Sequence, residues 1–139
     1  MVVMKKMNNQ ERGKSFEIEF CEYLQSQGYW VHYMNPSRTG AQPFDILALR
    51  DNDIMCFDCK TLAGSRFHLN RIEPNQELAF KSLNAHGIHN TYFVIAHKGG
   101  WSLFPSQSLL AEKDSGTRSV KVDDPMSHIF QVIDRKLSK

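Results

Sequence analysis

Hydrophobic positions along the chain follow helical spacing in some segments and strand spacing in others. Phe16, Phe20 and Leu24 recur every four residues, which predicts an amphipathic helix, and Gly28 is the residue type that commonly ends one. Short apolar runs bounded by turn residues predict strands. We expect helices over 11–27, 74–85, 105–111 and 126–137, strands over 29–34, 44–50, 53–61, 91–97 and 101–104, and a short edge strand over 118–122.

This order of elements predicts an α/β fold, in which helices flank the faces of a mixed β-sheet. A chain of 139 residues is most simply one domain. We therefore expect a single domain over 11–139, preceded by a flexible, mildly basic arm over 1–10.

Composition restricts the classes of protein to be considered. The net charge of +2 permits a nucleic-acid partner without requiring one. No apolar run approaches the roughly 18 residues of a membrane-spanning helix, and the first ten residues lack the apolar core of a signal peptide. Three cysteines, an odd number, are typical of a reducing compartment. We expect a cytoplasmic protein with no membrane partner.

Two neighbouring predicted strands carry charges where apolar residues are usual. Asp45 lies on the strand over 44–50, and Asp58 and Lys60 lie on the strand over 53–61. Burial of a carboxylate destabilises the folded state by several kcal/mol unless a partner compensates its charge. Alternation places Asp58 and Lys60 on one face, where Asp45 can meet them in a suitable register. Two carboxylates suit Mg²⁺ or Mn²⁺, and a lysine can stabilise a phosphoryl transition state; an ordinary cross-strand ion pair is the alternative.

Four further residues allow more than one interpretation. Glu17 lies beside the apolar stripe of the first helix, where it either meets a cation site at the sheet or extends to water. Gln76 lies in the first turn of the helix over 74–85, where an exposed amide is ordinary. Cys56 and Cys59 have the spacing of a zinc or redox pair, but strand alternation places their sulfurs on opposite faces and disfavours such a site.

Five segments together resemble a known family. Residues 13–17 (Gly-Lys-Ser-Phe-Glu), 43–45 (Pro-Phe-Asp) and 58–60 (Asp-Cys-Lys) resemble the PD-(D/E)xK nuclease superfamily, whose core is the restriction-endonuclease-like fold. After Lys60, residues 67–69 (Phe-His-Leu) and 75–76 (Asn-Gln) are similar to RecU-type Holliday junction resolvases. The short chain would suit a phage-encoded member that acts in a bacterial host.

The resemblance implies a role for each matching residue. It implies metal ligation by Asp45, Asp58 and the backbone carbonyl of Cys59, and a catalytic role for Lys60. It also implies that Glu17 is a direct or outer acid of the metal site, and that Gln76 is a polar residue of the active site.

Basic residues near the predicted site are candidates for holding DNA phosphates, although each is also explained as a plain solvated charge. These DNA-binding candidates are Lys14, Arg38, Arg66 and Arg71. The predicted function is a Mg²⁺- or Mn²⁺-dependent DNA endonuclease, a structure-selective Holliday junction resolvase that acts as a homodimer on four-way junctions. Another PD-(D/E)xK nuclease of restriction or repair type, or a non-catalytic nucleic-acid-binding module with this fold, is the alternative.

Overall fold

The computed structural model of the protein describes residues 9–34, 42–98 and 100–122. The helices and strands are α1 (Asn9–Ser26), β1 (Trp30–Tyr33), β2 (Ile46–Arg50), β3 (Asp53–Thr61), β4 (Arg66–His68), a 3₁₀ turn (Leu69–Arg71), α2 (Pro74–Ala85), β5 (Thr91–His97), β6 (Gly100–Pro105), α3 (Ser106–Asp114) and β7 (Ser119–Lys121).

Five strands form a mixed sheet in the order β1-β2-β3-β5-β6. The β3–β5 pair is parallel, with Asp58 beside Phe93 and Lys60 beside Ile95, and the other neighbours are antiparallel. A parallel pair needs a crossover connection, and here the crossover contains β4 and α2. The predicted mixed sheet with flanking helices is confirmed.

Each face of the sheet has its own hydrophobic cluster. On one face Phe16, Phe20 and Leu24 of α1 pack against Met55 and Phe57 of β3. On the opposite face, Cys56 of β3 belongs to a second cluster that includes residues of α2 and α3, among them Phe80, Leu109 and Leu110. Alternate residues of β3 therefore face different helical layers.

The first helix agrees with the apolar pattern, but it begins at Asn9 rather than at residue 11. Gly28 follows it with φ +89°, a conformation that glycine adopts without the steric cost of a Cβ atom. Residues 1–8 of the predicted arm lie outside the described residues, so the arm and the single-domain assignment remain predictions.

A second, two-stranded sheet was not predicted. β4 pairs antiparallel with β7, so the short strand expected over 118–122 joins a partner that the sequence pattern had suggested to be a connection. A strand of three residues is too short to show a clear alternation. In addition, α3 extends to Asp114, three residues beyond its predicted end. The helix predicted over 126–137 lies outside the described residues.

Candidate active site

Asp58 is a fully buried carboxylate in the central strand of the main sheet. Its Oδ1 accepts a hydrogen bond of 2.9 Å from Gln76 Nε2, and its Oδ2 lies 3.2 Å from Lys60 Nζ in an ion pair. Within the described part of the chain Oδ2 accepts no hydrogen bond, so the contact with Lys60 is ionic without hydrogen-bond geometry. Asp58 and Lys60 lie on the same face of β3, as alternation predicted.

Burial raises the pKa of the Asp58 carboxyl well above its ordinary value. The Lys60 charge opposes this shift, whereas the nearby carboxylate of Asp45 adds to it. Two acidic groups close enough to affect each other, in a site that disfavours negative charge, are arranged to receive a cation.

Gln76 contacts both charged residues, Asp58 and Lys60. Its Nε2 donates to Asp58, while its Oε1 accepts hydrogen bonds from Lys60 Nζ at 3.0 Å and from the backbone N–H of Glu73 at 3.2 Å. These partners fix the orientation of the amide, because a reversed amide would direct its NH₂ group at the lysine ammonium. The residue is buried, so the interpretation of Gln76 as a surface amide was wrong.

Asp45 lies one residue before β2 rather than on the strand itself. Its backbone N–H donates to Phe57 O at 3.0 Å, which keeps it beside β3. Its Oδ2 accepts from the Cys59 N–H at 2.7 Å, and its Oδ1 accepts from Gln42 Nε2 at 2.6 Å. The buried Asp45 carboxylate is therefore bound to the backbone of β3 at Cys59, the residue between Asp58 and Lys60 in the sequence.

Gln42 is a residue of the site that sequence reasoning missed. It donates to Asp45, and its backbone carbonyl accepts a hydrogen bond of 2.7 Å from Asn75 Nδ2, next to Gln76 at the start of α2. Gln42 thus links Asp45 to the start of α2. The only signal for this in the sequence is an amide three residues before Asp45, which is too weak to stand out.

Glu17 lies in the other helical layer. It lies on α1, which packs on the sheet face opposite α2, and its carboxylate accepts a hydrogen bond from the hydroxyl of Tyr33. Burial raises the pKa of Tyr33, and the bond to Glu17 raises it further, so the phenol remains a donor. Among the described residues no three His, Cys, Asp or Glu side chains are grouped closely enough to hold one metal ion together.

Comparison with known proteins identifies the family of this chain. The family model described as archaeal Holliday junction resolvase (Hjc) matches residues 8–136. The chain belongs to the Hjc family. Its PD-(D/E)xK nuclease type was predicted, and this is confirmed, whereas the RecU-type subgroup is not tested by the match.

Two Hjc proteins show how far the similarity extends. Over 72 residues the chain is 26% identical to the crossover junction endodeoxyribonuclease Hjc of Methanocaldococcus jannaschii. The aligned part covers 52% of this chain and 51% of that protein, so the chain spans about half the length of the curated relative it matches. A solved structure of Archaeoglobus fulgidus Hjc, a Holliday junction resolvase, superposes with a TM-score of 0.55 at 16% identity, covering 69% of this chain and 74% of the other. The predicted restriction-endonuclease-like fold is confirmed by this structural similarity.

The residues around Asp58 fit the divalent cation that the resemblance to PD-(D/E)xK nucleases implies. Asp45 and Asp58 provide hard oxygen ligands, and Asp58 Oδ2 is a buried oxygen without a hydrogen-bond donor among the described residues. Burial and the neighbouring Asp45 carboxylate disfavour the negative charge of Asp58, and a bound cation would offset that cost.

The structure describes the side chains of two of the four basic residues that were predicted to bind DNA in this Hjc-family chain. Arg66 is exposed and donates to Ser119, and the Arg71 guanidinium lies 5.3 Å from the centre of the Phe67 ring. The side chain of Lys14 and the whole of Arg38 lie outside the described residues.

The three cysteines have thiols that resist ionisation. Burial raises the pKa of Cys21 and of Cys56 to about 11, and raises that of Cys59 well above its ordinary value, with the carboxylates of Asp45 and Asp58 adding to the effect. Cys56 belongs to the cluster on the α2 face and Cys59 packs against the cluster on the α1 face, as alternation predicted. No helix in the described part of the chain is long and apolar enough to cross a membrane.

Proposed function

We propose that this protein is a metal-dependent endonuclease that resolves four-way DNA junctions. The observation that carries the proposal is the buried contact of Asp58 with both Lys60 and Gln76, next to Asp45, in a chain of the Hjc family. A fully buried carboxylate with a strongly raised pKa is costly for the fold alone, and groups of this kind concentrate in active sites.

Asp45, Asp58 and the backbone carbonyl of Cys59 are proposed to hold one or more Mg²⁺ or Mn²⁺ ions. A bound divalent ion would lower the pKa of a water molecule and offset the negative charge that develops on the phosphate. Two hydrogen bonds, from Gln42 and from the Cys59 N–H, hold the Asp45 carboxylate in place. The carboxylate therefore needs little reorganisation to bind a metal ion.

Lys60 is the proposed catalytic cation. Its side chain is 12% exposed, and it is held between Asp58 Oδ2 and Gln76 Oε1, at 3.2 and 3.0 Å. An ammonium group fixed at the edge of a buried site can donate to the attacking water or to a non-bridging phosphate oxygen, where charge develops in the transition state. Gln76 is proposed to position both Lys60 and Asp58.

Glu17 is proposed to act at the border of the metal site through a bridging water molecule, because no three acidic side chains among the described residues lie close enough to hold one ion together. It lies on α1, in the helical layer opposite the one that contributes Gln76. The hydrogen bond from Tyr33 limits the rotation of the Glu17 carboxylate.

The substrate and the assembly are also proposals. Symmetric cleavage of a four-way junction requires two active sites related by a two-fold axis, so we propose a homodimer. Recognition would depend on phosphate positions rather than base edges, with Lys14, Arg38, Arg66 and Arg71 as contacts. The closer similarity to RecU-type resolvases, a phage origin and a cytoplasmic location remain predictions from the sequence.

The test is cleavage of end-labelled DNA of three kinds, a four-way junction, a linear duplex and a single strand, in Mg²⁺ or Mn²⁺. Wild type is compared with Asp58→Ala and Lys60→Ala. The matched control is Asp114→Ala with Lys81→Ala, because Lys81 and Asp114 form an exposed ion pair of 3.1 Å on the surface.

Paired, symmetric nicks in the junction alone, lost in both active-site variants and kept in the controls, are the expected result. Equal cleavage of all three DNAs would replace the resolvase by another PD-(D/E)xK nuclease. DNA binding without cleavage by wild type would identify a binding module and end the catalytic proposal.

A further inference from the structure

The two-stranded sheet of β4 and β7 concentrates positive charge. Residues 66–71 and 118–122, which form it and its flanks, contain four Lys or Arg and no Asp or Glu. The whole chain has a net charge of only +2, so its charge is unevenly distributed. Asp123 and Asp124 follow in the sequence, outside the described residues. We call the pair of strands the β4–β7 ribbon.

Like charges face each other across the ribbon. Arg66 pairs directly with Lys121 in the register of the two strands. Cations at directly opposed positions do not stabilise an antiparallel pair, so the strand pairing itself does not explain the concentration of positive charge here. The Arg66 guanidinium is held in place by two hydrogen bonds to Ser119, of 2.9 Å to its hydroxyl and 3.2 Å to its carbonyl. Two of its five N–H groups are engaged there.

The ribbon is a fixed part of the fold. Its inward residues, Phe67 and Val120, pack in the cluster on the α2 face of the main sheet. Both ends are tied by backbone hydrogen bonds, from Val122 N to Ser65 O at 2.8 Å and from Leu69 N to Arg118 O at 2.9 Å. Its outward face carries Arg66, His68, Ser119 and Lys121.

A cavity of about 410 Å³ continues this face toward the end of α3. Its polar lining comes from three separate segments: His68 and Asn70 after β4, Lys113 at the end of α3, and Thr117 and Arg118 before β7. Lys113 also contacts Glu77, at 3.1 Å, so part of its charge is already matched. Arg118 is exposed.

The charged face also extends toward the catalytic strand. Arg71, at the end of the 3₁₀ turn after β4, lines a second cavity of about 390 Å³ together with Thr61 and His97. Thr61 directly follows Lys60, so Arg71 places a cation between the ribbon and the edge of the candidate active site.

We propose that the outward face of the β4–β7 ribbon, with Arg118 in the adjoining cavity, binds the phosphate backbone of one duplex arm of the DNA. The inference rests on the proposed function in that the ligand is DNA. A row of cations on a rigid ribbon suits the regular spacing of phosphates in a duplex and carries no information about bases. The ribbon would hold the arm while the scissile phosphate lies at Asp58 and Lys60.

The test measures DNA binding without divalent metal, as a function of salt concentration, for the Arg66→Ala/Arg118→Ala double variant. Its matched control is Arg66→Lys/Arg118→Lys, which keeps both charges. The ligands are a four-way junction, a duplex with the length of two arms, and a single strand. Melting temperatures establish that each variant is folded, and cleavage by wild type in Mn²⁺ is measured in parallel.

The alanine variant should bind both junction and duplex roughly tenfold or more weakly, and the slope of log K against log salt should fall by about 2. The lysine variant should keep most of the slope. The protein concentration for half-maximal cleavage should rise more than the rate at saturation falls. Unchanged binding and slope, or a loss restricted to the junction or to the single strand, would overturn the inference.

The two proposals fail in different ways. A wild type that cuts junctions, together with an alanine variant that binds like wild type, removes the ribbon inference and leaves the nuclease. A wild type that never cuts, with ribbon-dependent binding, supports the ribbon and removes the nuclease.

Discussion

Gln76, in the first turn of α2, donates a hydrogen bond of 2.9 Å to Asp58, which is fully buried in the middle of the sheet. The same amide accepts from Lys60 and from the backbone of Glu73. One side chain therefore caps the start of a helix and sets the positions of the candidate acid and cation. A change at Gln76 should affect chemistry more than stability.

Replacing Gln76 by alanine is expected to lower single-turnover cleavage by about 10–100-fold, because Asp58 and Lys60 each lose a positioning partner. Gln76→Glu should not restore the rate, since a carboxylate would face Asp58. The control is Gln107→Ala, an exposed amide on α3. A Gln76→Ala protein that cleaves at the wild-type rate would contradict the role given to this residue.

The raised pKa of Asp58 predicts how metal-free stability depends on pH. Because the folded chain holds this proton more tightly than the unfolded chain, the contribution to stability is full at low pH and is lost as the pH rises through the raised pKa. Each unit of pKa shift corresponds to about 1.4 kcal/mol. Asp58→Asn should therefore melt a few degrees above wild type at neutral pH.

Thermal unfolding from pH 4 to pH 8 in a metal chelator measures this difference. The advantage of Asp58→Asn should shrink as the pH falls, while Asp114→Asn, an exposed carboxylate, should follow wild type throughout. A constant difference between wild type and Asp58→Asn would show that ionisation of Asp58 has no part in it.

Divalent metal should stabilise the wild type by binding the folded state alone. We expect Mn²⁺ to raise the melting temperature of wild type and of Asp114→Asn, but not of Asp45→Asn or Asp58→Asn. Tyr33→Phe removes the hydrogen bond to Glu17 and should weaken the Mn²⁺ response only about 10-fold or less in apparent affinity. An undiminished response in the Asp45 and Asp58 variants would place the metal elsewhere.

The cysteine thiols should be nearly inert in the folded protein. With a pKa of about 11 rather than 9.0, Cys21 and Cys56 at pH 8 have roughly 100-fold less thiolate than an ordinary cysteine. Alkylation by iodoacetamide, followed by mass spectrometry, should be slow in native buffer and rapid in urea. Fast modification of Cys56 in the folded state would contradict its burial.

The apolar pattern predicted most of the main sheet because its strands are long enough to appear as distinct apolar runs in the sequence. The bounds of β3, α2 and β5 agree with those expected, whereas β4 has three residues and is held by its pairing with β7 and by the burial of Phe67. Short strands that depend on distant partners leave no local signal.

The candidate site was only partly accessible to the same reasoning. Alternation along β3 was sufficient to place Asp58 and Lys60 together, since it is a local rule. Gln42 and the burial of Gln76 depend on how the loop before β2 meets the start of α2, which is a tertiary contact. The resemblance to a family indicated Gln76 where the local pattern suggested a surface residue.

The parallel pairing of β3 with β5 has a consequence for the order of folding. Lys60 can pair with Ile95 only after the intervening segment, which contains Gln76, has folded back over the sheet. Closing so large a loop is a late and slow event compared with forming a hairpin such as β2–β3. Asp58 is therefore buried and capped in the same step. A nascent chain that ends before β5 would lack the assembled candidate site, so the proposed cleavage activity would appear only once the central sheet has closed.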